Sequence, residues 1–209
     1  MKGFVFALTA CFLIISTHNN AFAQASKITA GVSMAMGGFS LDGNPDDNAF
    51  TATRRMENRS EADVVGAGFL LGYGVLSNLD AFYHWHYEYC NEANVDAYSL
   101  VMHDIGARYY VLSGGFRPFL NASFTKYTLN DLQIVDGAIA SQVQLREYDY
   151  SGTGFSYGAG IDLSAGIMSL ILEYTKTATS SFEKKEGSID FENKPSLSRF
   201  SFSVRFRMF

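Results

Sequence analysis

Cysteine is scarce in this chain, with two in 209 residues, and only Cys90 lies outside the first apolar run. An intrachain disulfide framework is therefore excluded. Proline is equally rare, at three residues, so little interrupts an extended chain. Positive charge is in deficit, with 16 Lys and Arg against 21 Asp and Glu. The net charge of −5 and the lack of a basic stripe exclude a nucleic-acid partner. No apolar run after residue 23 reaches the roughly 18 residues of a membrane-spanning helix. No Gly-x-Ser-x-Gly elbow occurs, and no low-complexity segment or domain boundary interrupts the chain. What is abundant is aromatic residues, at 15%, and glycine, at 19 residues. That combination favours sheet over helix.

The first residues read as an export signal. Met1-Lys2-Gly3 is basic, Phe4 to Ile15 is apolar, and Ala21-Phe22-Ala23 has the small-x-small pattern of a cleavage site. The apolar stretch of about 12 residues is too short to span a bilayer, which takes about 20. Residues 1–23 are thus expected to be a cleaved signal peptide, with 24–209 forming one domain. Loss of Lys2 with the signal makes the charge balance one unit more negative. Leu8-Thr9-Ala10-Cys11 resembles a lipidation motif, but Phe12 to Ile15 continues the apolar run beyond it. Ala21-Phe22-Ala23 is the better processing site.

From there the chain alternates with period two, the mark of strands. Eight segments show it, at about 27–40, 62–75, 79–90, 98–112, 116–128, 153–163, 167–177 and 197–209. Three connections are short: Leu76-Ser77-Asn78, Ser113-Gly114-Gly115 and Ser164-Ala165-Gly166. Four are longer and polar, at about 41–61, 91–97, 129–152 and 178–196. Eight up-and-down strands with both termini on the short-turn side produce this asymmetry.

The content of the two faces decides what surrounds the sheet. One face is bulky and apolar in nearly every strand, as in Val65, Ala67, Phe69, Leu71 and Tyr73. The other is mostly Gly, Ser, Thr and Asn with a few charges. A narrow barrel has room for the second set inside and not the first. The expectation is an all-β, eight-stranded antiparallel transmembrane barrel, apolar outside, with a small polar interior. Tyr73 and Tyr109, near the short turns, and Trp85, Tyr87, Phe155 and Tyr174, toward the long loops, share the apolar face and are expected to form lipid-facing aromatic girdles.

Three local features carry a resemblance: Asp104 to Tyr110 with its inward Gly106 and Arg108, the Arg117-Pro118-Phe119 opening of the fifth strand, and the terminal Phe209. Together with the alternation, they resemble the eight-stranded porin-like family, whose relatives include the transmembrane domain of outer membrane protein A and the opacity-type surface proteins. The resemblance spans residues 24–209 and implies a bacterial outer-membrane location. Phe209 departs from the family pattern, because Met208, Phe206 and Val204 hold the apolar parity. Either a bulge at the end or Met208 as the last lipid-facing residue accounts for this.

Inward charges should pair across neighbouring strands. In-register hairpins set Asp80 opposite Arg108 and His84 opposite Asp104, with Glu173 near Arg205. These six are read as a structural network filling the lumen, rather than as a gate. His84 and His86 share the inward face, but two ligands at i and i+2 are only a partial metal set. His103 has outward parity, and no serine is placed beside any of the three. No catalytic, cofactor-binding or metal residue is assigned, and no cofactor is expected. Cys90, Arg54-Arg55 and Glu183 to Glu186 read as ordinary residues at or within loops, and Asn44-Pro45-Asp46-Asp47-Asn48 as a turn lacking the ligand spacing of a calcium loop. Asn58 and Asn121 begin glycosylation-like triplets without bacterial meaning.

These features lead to the expectation of a non-enzymatic surface protein anchoring external loops, for envelope integrity or surface interaction. A narrow pore for small solutes and a lipid-modifying enzyme are the alternatives. Expected partners are outer-membrane lipid and lipopolysaccharide, the barrel-assembly machinery during biogenesis, and a host or surface ligand at the loops.

Overall fold

The computed structural model describes residues 27–40, 62–92, 95–139, 142–184 and 194–208. The signal segment with Cys11, the whole first long loop at 41–61, Lys185-Glu186 and Phe209 lie outside them. Eight strands run in sequence order: β1 (Ile28–Ser40), β2 (Ala62–Leu76), β3 (Leu79–Glu92), β4 (Val95–Tyr110), β5 (Phe116–Ile139), β6 (Gln142–Ala165), β7 (Met168–Lys184) and β8 (Ser196–Arg207). Each pairs antiparallel with its neighbours, and β8 returns to β1, so the sheet closes. Closure gives the backbone of every strand, β1 and β8 included, a partner on both sides, as a bilayer demands.

Tight turns enforce the hairpins at one end. Gly166 opens the β6–β7 turn at φ 62°, a left-handed conformation that suits the twist of two short-linked strands. Gly114 takes φ 117° in the β4–β5 turn. At the same end the Gly74 amide donates to the Lys27 carbonyl and the Met208 amide to the Ile28 carbonyl, at 2.9 and 2.8 Å.

Period-two alternation places the apolar face outside. Val32, Ile105 and Phe124 are 63%, 64% and 56% exposed, far beyond what a water-soluble protein tolerates over a continuous surface. Four neighbouring strands leave this apolar belt together toward the long-loop end. Beyond Phe124, Phe155, Tyr174 and Phe200, the next outward residues are Lys126, Thr153, Lys176 and Ser198. His103, also on the outer face, accepts or donates a 2.8 Å hydrogen bond with the Tyr83 hydroxyl.

Three expectations need correction. The segment 129–152 is not a loop: β5 and β6 continue as a paired arm to Ile139 and Gln142, with irregularities between Leu129 and Leu132 and between Val135 and Ala138. Those register shifts break the strict alternation, which hid the strands in the sequence. In the same way β7 runs on to Lys184, and β3 and β4 extend to Glu92 and Val95.

The lumen is also less uniformly small than expected. Leu70, Phe82, Tyr110, Phe119 and Ile171 form a buried apolar cluster inside it. Glycine makes the room. Phe119 lies over Gly160, its direct cross-strand partner, and Tyr127 lies over Gly152 in the same way. A side chain at either glycine would occupy the volume of the ring. Phe82 has a glycine opposite it on each side, Gly72 of β2 and Gly106 of β4.

Finally, the last strand ends without a bulge. β8 stays in register with β1 from Ser196 to Arg207, and Met208 is the exposed residue that closes the outward row.

Candidate functional site

The buried charges of the barrel form three tiers along its axis. Nearest the short turns, Arg205 of β8 reaches Asp80 of β3 at 3.0 Å and Asp162 of β6 at 2.5 Å. Arg117 of β5 joins the same Asp162 oxygen at 2.6 Å. The Tyr110 hydroxyl donates to Asp80 at 2.9 Å, and its ring lies 4.4 Å beneath the Arg117 guanidinium. Ser164 links Arg117 to the other Asp162 oxygen, at 2.9 and 2.8 Å. Two arginines and two aspartates thus neutralise one another across the width of the barrel.

The middle tier is one ion pair in an aromatic clamp. Arg108 of β4 binds Glu173 of β7 at 2.6 Å, and Asn121 donates to the second Glu173 oxygen. The Arg108 guanidinium carbon sits 4.4 Å from the Phe82 ring centre and 5.2 Å from that of Phe119. Cation–π attraction strengthens where water is excluded, as it is here.

The third tier lies toward the long loops. Arg199 of β8 donates to Asp104 at 2.8 Å and approaches Glu88 at 3.4 Å. Thr125 donates to the other Asp104 oxygen at 2.5 Å, and Ser156 and Thr177 continue that chain. His84 shares a 2.8 Å hydrogen bond with Ser33, and its ring centre stands 3.5 Å from that of His86. His86 is fully buried, yet neither of its ring nitrogens has a hydrogen-bond partner.

The structure places all six residues of the expected network inside the barrel, each buried. The register sets Asp80 opposite Arg108 and His84 opposite Asp104. The pairing itself is different from that expected. Arg205 faces Ser169 on β7, while Glu173 faces Ser201, so Glu173 and Arg205 are not neighbours. Asp80 bonds Arg205 rather than Arg108, and Arg108 crosses to Glu173. Parity says which side chains enter a lumen but not which strands they reach across it. In a narrow barrel long side chains meet partners from non-adjacent strands, and Arg117, Asp162, Arg199 and Glu88 complete the set. Their inward parity was the available signal. Asp104, the third ligand candidate beside His84 and His86, lies on the adjacent strand β4 opposite His84, where the hairpin register sets it. The six aromatics of the expected girdles stand on the outer face, all exposed except the half-buried Trp85.

A closed antiparallel sheet, apolar outward and charge-paired inward, defines the fold of the eight-stranded outer-membrane barrels. Among solved structures the chain is similar to Neisserial surface protein A, at TM-score 0.60 and 11% identity, over 87% of this chain and 97% of that one. It also matches the attachment invasion locus protein of Yersinia pestis bound to a heparin analogue, at TM-score 0.49 and 9% identity, over 88% and 99% of the two chains. Outer membrane protein OprG of Pseudomonas aeruginosa matches at TM-score 0.46 and 11% identity, over 88% and 96%. No protein-family model matches the chain, and no curated protein matches its sequence.

Proposed function

We propose that this protein is a non-enzymatic resident of the bacterial outer membrane, exported through a cleaved signal at residues 1–23. It holds external segments at the surface for envelope integrity or surface interaction. The observation that carries this reading is the plugged lumen. Arg205, Asp80, Asp162, Arg117 and Tyr110 meet across one end, and Arg108, Glu173, Phe82 and Phe119 fill the layer above, every one at least 94% buried. A barrel filled in this way serves as an anchor, and what it anchors is the paired β5–β6 arm and the long loops. Lys126 and Lys176, at the upper edge of the apolar belt, suit the phosphate groups of lipopolysaccharide. The barrel-assembly machinery would insert the chain.

Planar-bilayer recording tests the reading. The purified, refolded protein, shown to be folded by heat-modifiable gel migration, is expected to leave conductance at baseline. Steady single-channel steps would overturn the anchor in favour of a solute pore. Recovery of the protein from the soluble periplasm would overturn the membrane location.

A further inference from the structure

We propose that His84, His86 and Asp104 form a binding site for a divalent transition-metal ion of the zinc class inside the barrel. One ligand atom from each lies within 4.8 Å of the others, and all three residues are buried. The His86 Nε2 and an Asp104 oxygen stand 3.7 Å apart, too far for a hydrogen bond. Ligand atoms sharing a tetrahedral zinc at about 2.0–2.2 Å each lie roughly 3.3 Å from one another, so small ring rotations bring the set to bonding distance.

His86 is the observation that points to a ligand. Leaving a buried polar group without a partner is destabilising, and this imidazole has two such atoms. A cation accepts the lone pair that no protein donor meets. The neighbours already act as orienting groups. If His84 Nε2–H donates to Ser33, its Nδ1 lone pair is left for the metal. Thr125 and Arg199 each hold one Asp104 oxygen, fixing the carboxylate plane. Metal-ligating histidines and carboxylates are ordinarily braced by such second contacts.

Charge agrees. Among the described inward side chains of this tier, Glu88 and Asp104 oppose the single guanidinium of Arg199. The middle tier balances, and the lower tier carries no negative surplus, because Arg207 lies beside its two arginines and two aspartates. A divalent ion therefore enters the one layer with surplus negative charge. Two imidazoles and one carboxylate select zinc, nickel, cobalt or copper over calcium and magnesium, which prefer all-oxygen shells. A water molecule completes the coordination.

The test uses the refolded barrel without a histidine tag. Titration with Co²⁺ at neutral pH should produce the visible absorption of a low-coordinate site, saturating at one equivalent and quenched by Zn²⁺. After dialysis against Zn²⁺, elemental analysis should return one zinc per chain. His86→Ala and Asp104→Asn should abolish both signals, and Ser33→Ala should weaken binding by roughly ten-fold. Should His86→Ala fail to fold, as judged by heat-modifiable migration, His86→Gln replaces it. Absence of the cobalt band in the folded parent, or metal retained equally by the folded variants, overturns the site.

Discussion

Arg205 is the residue on which most of the lower tier depends. Its two terminal nitrogens serve Asp80, Asp162 and the Tyr110 hydroxyl together. Replacing it with leucine leaves two carboxylates in an enclosed lumen with one fewer cation. Breaking a buried pair from one side costs about 3–5 kcal/mol, because the abandoned charge stays behind. Arg205→Leu should therefore lower the urea unfolding midpoint by an amount corresponding to that loss. Adding Asp80→Asn should recover part of it; a double variant no more stable than the single would refute the pairing. Gly160 makes a different demand, since its missing side chain is what seats Phe119. Gly160→Val should overpack the lumen and destabilise by about 1–3 kcal/mol in the same assay, and Phe119→Ala in that background should relieve only the part that comes from the ring, because the Leu172 carbonyl meets the same side chain.

At the scale of elements, the β5–β6 pair behaves as two structures in one. Up to Asn130, β5 also pairs with β4, and from Tyr150 onward β6 also pairs with β7. Between Leu132 and Tyr148 the two strands pair, among the described residues, only with each other. That arm adds nothing to closure. Replacing residues 131–148 with a short Asn-Gly turn should leave heat-modifiable migration and the unfolding midpoint unchanged while removing any surface interaction carried there. Loss of folding on this deletion would show that the arm supports the barrel. The barrel walls were legible in the sequence because alternation is strict where one face meets lipid and the other the lumen. The arm was not, because no lipid imposes a face on it and two register shifts interrupt its period. The candidate metal site was half legible. His84 and His86 declared themselves by spacing and Asp104 by the hairpin register that sets it opposite His84, whereas His86 is singled out only by what fails to contact it in the folded barrel.

For the whole molecule, closure is a matter of charge as well as geometry. Four arginines are buried among the described residues, and two of them, Arg199 and Arg205, belong to β8. Of their carboxylate partners, Asp80, Glu88 and Asp104 lie on β3 and β4, far earlier in the chain, and Asp162 lies on β6. Contacts so distant in sequence carry a large loop-closure cost. A sheet of seven strands lacking β8 would carry Asp80, Glu88 and Asp104 without the arginines that pair with them, and those charges would repel and draw water into the gap. Docking of β8 supplies the last hydrogen-bonded edge and the missing counterions in the same event. The strand that closes the barrel is thus also an electrostatic latch, because it brings two of the four arginines buried among the described residues to carboxylates on the far wall.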